Sequence, residues 1–196
     1  AAVIVVINMF DAQSYVGDTP DGDADLGSTG SGDITAIESL NISATGDTTA
    51  TVNGIMIGGG AVAVNGLVAL GLNFSTNIAG LIQKNVSKFE SITLNARLDG
   101  DTQVITTSLT GGAIAVGATV AVGYIQTDNR AIVDITGSTL TGDPDKTSSI
   151  TVNAGTASIP NNAQAVVAGV TGAAGAIGVA VNIGVALNDG TNAAQL

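Results

Sequence analysis

The chain has no cysteine, no histidine and no tryptophan, and aromatic residues fill only 3% of its 196 positions. Each absence excludes something. Without cysteine there are no disulfides and no thiolate metal sites; without histidine as well, no Ser–His or Cys–His nucleophile pair can be assembled. With two tyrosines and no tryptophan, the aromatic girdles of a membrane β-barrel cannot be built. Charged residues make up 11%, against roughly 25% in an average soluble domain. Basic residues are the scarcest: five, against sixteen acidic ones, for a net charge of −11. That balance argues against nucleic acid as a partner, since phosphates need clustered Lys and Arg. Lys84, Lys88, Arg97, Arg130 and Lys146 are scattered, mostly in polar connectors. They do not form the acid–base cluster of a β-helical polysaccharide lyase, so no enzymatic activity is expected.

What the chain does have is small and apolar residues, with 27 glycines and 45% hydrophobic content. In "GGAIAVGATVAVGYI" (111–125), the even positions are Ile114, Val116, Ala118, Val120, Val122 and Tyr124. The odd positions are Ala113, Ala115, Gly117, Thr119, Ala121 and Gly123. Large alternates with small at period two, and the large residues are mostly β-branched, which reads as strand rather than helix. The same alternation runs from Val62 to Phe74 and from Ile177 to Leu187. A membrane helix needs about 20 mainly apolar residues. Residues 54–72 approach that length, but Asn65 and the strict alternation argue against a transmembrane segment.

These segments are repeats. "GGAVAVNGLVALGLNFSTN" (59–77) aligns with "GGAIAVGATVAVGYIQTDN" (111–129) at an offset of 52 residues. A second block precedes each apolar block: "SLNISA" (39–44), "SITLNA" (91–96) and "SITVNA" (149–154). The third apolar block, "GAIGVAVNIGVALN" (175–188), has a register ambiguous by two residues, because a period-two pattern cannot resolve it. The opening "VIVVINMF" (3–10) matches "VALGLNF" (68–74), so the chain reads as a piece of a longer polypeptide that begins inside a truncated copy. The units run roughly 1–38 (partial), 39–90, 91–148 and 149–196, separated by polar connectors of unequal length at 17–33, 83–88 and 137–148. A constant apolar core with variable loops at one recurring place is solenoid behaviour.

The expected fold is all-β: a single right-handed parallel β-helix (β-solenoid) segment over 1–196, built of 52–65 residue repeats with inserted loops. Two to three coils of about 20 residues would fill each unit, giving eight or nine coils and a rod on the order of 40 Å long. The large residues are expected to fill the interior, and Asn53-Gly54, Asn65-Gly66 and Asn188-Asp189-Gly190 to form turns, with each asparagine either stacking along them or standing exposed to solvent. The small-residue face is then oddly apolar for an outer surface. It should pack against something flat, a neighbouring sheet or another molecule, with Ala61, Ala63, Ala113 and Ala115 buried.

Three further features are candidate sites. Asp18, Asp21, Asp23 and Asp25 in "GDTPDGDAD" read either as a plain solvated loop or as candidate ligands for Ca²⁺, although no closing Glu completes an EF-hand pattern; Asp143 and Asp145 form a weaker echo. Three Asn-x-Ser sequons start at Asn41, Asn73 and Asn85, of which Asn85 lies in a connector and reads as the most accessible. Thr-rich stretches such as "TGDTTATVN" raise an ice-binding face, but their threonines do not recur at one position in every unit.

The units, carried by "GGAVAVNGLVALGLN", "GGAIAVGATVAVGYI" and "GAIGVAVNIGVALN", resemble the repeat regions of large secreted bacterial filamentous adhesins, leukotoxin-like and, more distantly, filamentous-haemagglutinin-like. The resemblance covers most of the chain except the acidic connector. It implies a β-helical stalk, two-partner or autotransporter-type secretion, and an extracellular or cell-surface location. The expected function is a structural repeat segment of a giant cell-surface or secreted bacterial protein, an adhesin stalk or extracellular filament that self-associates. The alternative is a module binding carbohydrate or protein, a host or surface ligand, through the inter-repeat loops.

Overall fold

The computed structural model describes residues 1–17, 33–155 and 162–196. Among the described residues there is no helix, and nine strands follow one another: β1 (Ala2–Gly17), β2 (Ile34–Gly59), β3 (Val62–Ile82), β4 (Val86–Gly111), β5 (Ile114–Asp134), β6 (Leu140–Gly142), β7 (Ser149–Ala154), β8 (Asn162–Ala174) and β9 (Ile177–Gln195). They form two sheets, and every pairing is parallel. The first sheet has the order β1-β3-β5-β9; in the second, β4 pairs β2 on one side and β6, β7 and β8 in succession on the other.

The register carries the repeat. Val62 pairs with Ile114 and Ser39 with Ser91, both 52 residues on. Ala2 pairs with Leu67, so the opening "VIVVINMF" lies directly beside "VALGLNF", the segment its sequence matches. The ambiguous third copy is resolved: Val120 pairs with Ile183. On the far side of β4 the offset grows in steps, from Val86–Leu140 to Ser91–Ser149 to Asp99–Asn162. Each step absorbs an insertion without disturbing the alternation of faces, because side chains keep their face only when the pairing is held.

Two expectations about coil size are corrected by this register. Residues 52 apart are direct neighbours, so one unit supplies one long strand to each sheet rather than two or three short coils. The first sheet is therefore four strands deep, roughly 14 Å from the first strand to the last at the usual spacing, and not a rod of eight or nine coils. The presumed turns are also strand interior: Asn53-Gly54 lies in β2, Asn65-Gly66 in β3 and Asn188-Asp189-Gly190 in β9. Gly54 faces inward, where an added Cβ would come within 3.1 Å of Leu67 Cδ2 and 3.2 Å of Ile4 Cδ1. Asn65 Nδ2 donates to the Leu109 carbonyl at 3.2 Å.

The chain actually reverses at Gly60–Ala61 and at Gln83–Asn85. Gly60 has φ of 152°, and an added Cβ on Gly112 would lie 2.1 Å from the Gly60 carbonyl oxygen, as one on Gly175 would lie 2.0 Å from that of Gly112. The column Gly60–Gly112–Gly175 is thus a stack of turns where backbone approaches backbone and no side chain fits.

The interior is the reverse of the expected one. The small residues point inward, toward the other sheet: Ala63, Ala69, Ala115 and Ala121 are buried, as are Gly71, Gly117 and Gly123. The flat object against that face is therefore the second sheet. Ala61 and Ala113 sit at the turn and stay exposed. The large residues Val62, Val64, Val68, Leu70 and Leu72 point out. Contacts leave no alternative: an added Cβ on Gly71 would meet Val104 Cγ2 at 2.7 Å, Thr102 Cγ2 at 3.1 Å and Val52 Cγ2 at 3.3 Å. Valines from the second sheet fill the space that the first sheet leaves.

The packing widens toward the other end. Around the Gln83–Asn85 turn the core is built of Ile42, Leu81, Val86, Phe89, Ile92, Leu94 and Val133. Between the two ends asparagine crosses the sandwich. Asn77 Nδ2 donates to the carbonyls of Ala44 (3.0 Å) and Arg97 (3.1 Å), and lies 2.7 Å from Asn129 Oδ1 in the next strand. Asn129 Nδ2 reaches the Ala96 carbonyl at 3.1 Å. Asn73 Nδ2 donates to the Asp101 carbonyl at 3.1 Å while its Oδ1 accepts from Ser75 at 2.9 Å. All three asparagines are fully buried. The asparagines of the presumed turns do not stack, since Asn53, Asn65 and Asn188 pair with Ile105, Gly117 and Ile125; the asparagine stack is Asn77 on Asn129, inside the strands and directed across the core. A buried amide must be hydrogen-bonded, and carbonyls of the facing sheet supply the acceptors.

Candidate interaction face

With small residues turned inward, the large residues form a continuous outer surface on the first sheet. Parallel register stacks them into ladders: Val3–Val68–Val120–Ile183, Val5–Leu70–Val122–Val185 and Ile7–Leu72–Tyr124–Leu187. Further ladders, Val62–Ile114–Ile177 and Val64–Val116–Val179, carry the surface to the Gly60 turn. Each residue is partly covered by its neighbours in the ladder, yet Val62, Val64, Met9 and Val3 remain 66%, 70%, 78% and 69% exposed. Phe74 and Tyr124 touch across the ladder with ring centroids 5.6 Å apart.

The surface ends sharply. Asp11, two residues past Met9 on the same face, shares a row with Thr76, Asp128 and Thr191, while Asp189, two residues past Leu187, stands one row nearer, beside Gln126 in the row of Met9 and Phe74. Arg130, next on that face, is ion-paired with Asp128. No Lys or Arg lies among the apolar rows.

The outer face of the second sheet is different in kind. Over most of its length it presents Asn41, Ser43, Thr45, Asp47, Thr49 and Thr51 on β2, and Thr93, Asn95, Arg97, Asp99, Asp101 and Gln103 on β4. It becomes apolar toward the Gly60 turn, from Ile105 and Val166 to Ile55, Ile57, Leu109 and Val170. The sandwich therefore has one apolar broad face and one polar one. Threonine is frequent on the polar face without forming a complete column, since Thr45 stands beside Arg97 and Thr49 beside Asp101.

The sites predicted from sequence fall elsewhere. Asp18, Asp21, Asp23 and Asp25, the candidate Ca²⁺ ligands, lie outside the described residues. Asp143 and Asp145 form a local turn in which the Asp145 N–H donates to Asp143 Oδ1 at 3.0 Å; beside it Lys146 pairs with Glu90, and the carboxylate holds the ammonium above its ordinary pKa. Among the described residues no group of three acidic side chains is placed to hold a metal. The sequons divide. Asn73 is buried in the core and fully engaged, and Asn41 stands on the outer polar face. Asn85, expected to be the most accessible, is partly covered and clasps three strands of chain: its Nδ2 donates to Asp33 at 2.9 Å, and its Oδ1 accepts from the Thr139 N–H at 2.9 Å. Asp134 is held below its ordinary pKa by the backbone and hydroxyl of Thr136.

Among the described residues, shallow clefts lie at the ends of the sandwich. One is lined by Ile57, Leu109, Gly111 and Ala174 and is mainly apolar; another is lined by Ile132, Asp134, Thr136 and Leu196. Neither brings two carboxylates together for acid–base work. The functional feature that sequence reasoning assigned wrongly is the large-residue face. A signal for it was present. Asp11, Thr76, Asp128 and Arg130 have the same parity as the large residues, and a strand that continues an apolar row into Asp and Arg turns that row to solvent. Comparison with protein-family models, curated proteins and solved structures returns no match.

Proposed function

We propose that the two sheets are walls of a right-handed parallel β-solenoid, one unit per turn, and that the chain is a non-enzymatic structural segment of a giant cell-surface or secreted bacterial protein, serving as an adhesin stalk or extracellular filament. The observation that carries this reading is the all-parallel stacking in register: each unit adds one strand to each sheet and repeats the inward columns beneath the last. Parallel strands joined through a crossover take the right-handed path in nearly all proteins. Quasi-one-dimensional stacking is also how long stalks are built, since each unit contacts only its neighbours. β1 and β9 each pair with one strand among the described residues, so the stack is open to continuation at both sides of the first sheet. The extracellular location and the bacterial source rest on the resemblance of the units to adhesin repeats.

Electron microscopy and fibre diffraction of the concentrated chain test this. Uniform filaments with a reflection near 4.8 Å along the filament axis are expected from strands stacked along it. A chain that stays unassembled at every concentration, seeded or not, refutes the filament reading. A second reading, a carbohydrate- or protein-binding module, draws on the placement of the insertions. All the described extra residues, at 135–139 and 143–148, enter between β5 and β7, on one side of the stack. Reproducible glycan-array hits that vanish when residues 137–148 are shortened would favour it.

A further inference from the structure

We infer that the apolar face of the first sheet is a self-pairing surface, covered by the same face of a second copy with the strands of the two copies running antiparallel. Three observations carry this. The first is extent. The outward apolar row runs from Val62 to Phe74, about 40 Å at 3.3 Å per residue, across strands about 4.8 Å apart. Allowing for the shorter β1, the patch covers roughly 650 Å² per copy, so pairing would bury about 1,300 Å² in total, within the range of specific interfaces. It exceeds the few hundred Å² of contiguous apolar surface that a monomer ordinarily leaves exposed.

The second is shape. In-register ladders make parallel ridges of Val, Leu and Ile along the stacking direction, with grooves between them. Two such surfaces interdigitate when their ridges run together, as in the dry interfaces between stacked sheets. The rung spacing of the two copies is identical by construction, so the fit does not degrade as the stack lengthens.

The third is charge, which fixes both occupant and orientation. Acidic residues border one end of the patch, Asp11 and the Arg130-paired Asp128 in one row and Asp189 in the row before it, while the glycine turn borders the other. Turning the partner about an axis along the strands would set acidic border against acidic border. Turning it about the stacking direction sets each acidic border beyond the partner's uncharged turn, and this is the arrangement that like-charge repulsion permits. The same border disfavours an anionic lipid surface, and the patch lacks the Trp, Lys or Arg anchors of a membrane-seated face.

The inference deepens the structural reading but is tested apart from it. Sedimentation of the whole 196-residue chain should give a dimer at micromolar concentration. The double variant Leu70→Asp/Val122→Asp should raise the dissociation constant by at least about 100-fold, in keeping with charges set into a hot-spot core, with unchanged far-UV circular dichroism. Thr45→Asp, on the polar face, should leave the dimer intact. The chain has no cysteine of its own, so orientation follows from cross-linking. A mixture of Val62→Cys and Phe74→Cys chains should join through a short bis-maleimide, and Phe74→Cys alone should not. A monomer at 100-fold higher concentration, or capture by zwitterionic vesicles in preference to dimerisation, overturns the inference. So does cross-linking of Phe74→Cys alone. Filaments one sandwich wide would refute pairing while leaving the stalk reading in place; dimers that never form filaments would do the opposite.

Discussion

Gly71 is the most economical place to test whether the small-residue face is the interior. Three β-branched side chains of the second sheet surround it, with Val104 Cγ2 only 2.7 Å from the position of an added Cβ. Valine and threonine are stiff at χ1, so their methyls cannot swing aside as the end of a leucine would. Gly71→Ala therefore overpacks a closed site, at about 1–3 kcal/mol. Against this stands the gain of about 0.5–1 kcal/mol when alanine replaces glycine within a strand. The net expectation is a loss of roughly 0.5–2 kcal/mol. Gly111 is the control, because an added Cβ there meets nothing within 4 Å. Gly111→Ala should be neutral or stabilising by up to about 0.5 kcal/mol.

Urea unfolding followed by far-UV circular dichroism measures both, and a double-mutant cycle isolates the cause. Val104 is fully buried, so Val104→Ala alone should cost about 2 kcal/mol through lost burial and a cavity. The new Cβ at position 71 occupies that cavity in the double variant. The two losses should then fall short of additivity by about 1 kcal/mol or more, a size expected of residues in direct contact. If Gly71→Ala stabilises the chain as Gly111→Ala does, or if the cycle closes within about 0.3 kcal/mol, the sheets do not meet at Gly71 and the inward assignment of the small face is wrong.

The polar interior yields two further tests. Asn77→Leu removes the donor to the Ala44 and Arg97 carbonyls and strands the Asn129 amide oxygen, so the same urea assay should show a loss of about 2–4 kcal/mol; a loss under about 0.5 kcal/mol would mean that the crossing bonds are not made. Thr106 is the opposite case, fully buried with a hydroxyl that has no protein partner. Thr106→Val keeps the shape and removes an unsatisfied group, so the chain should be unchanged or up to about 1 kcal/mol more stable, and a clear loss would reveal a bound water held by that hydroxyl.

How much of this was legible in the sequence depends on what each pattern can encode. Period-two alternation identified strands, and the 52-residue offset identified equivalent residues such as Val62 and Ile114, but not that they are direct neighbours. Alternation, however, has no polarity. It says that Ala115 and Val116 face opposite ways, not which of them faces in. The usual rule, large residues inside, fails here because the second sheet sends Val52 and Val104 into the space opposite Gly71: bulk on one wall demands its absence on the other. The length of a coil was equally hidden. Asn-Gly pairs read as turns, but Gly54 and Gly66 are strand residues; Gly54 was selected by closeness to Leu67 rather than by backbone conformation. What could have broken the ambiguity is the run of polar residues that continues the strands beyond the apolar segment. Asp11, Asp128 and Asp189 share the parity of the large residues, and Asn73, Asn77 and Asn129 share that of the small ones. A charged residue belongs to solvent, whereas an amide can be buried if a carbonyl of the facing sheet accepts its N–H. Read together, those six residues orient the first sheet. They also turn an unexplained small face into an explained interior, and leave the large face as the surface that needs a partner.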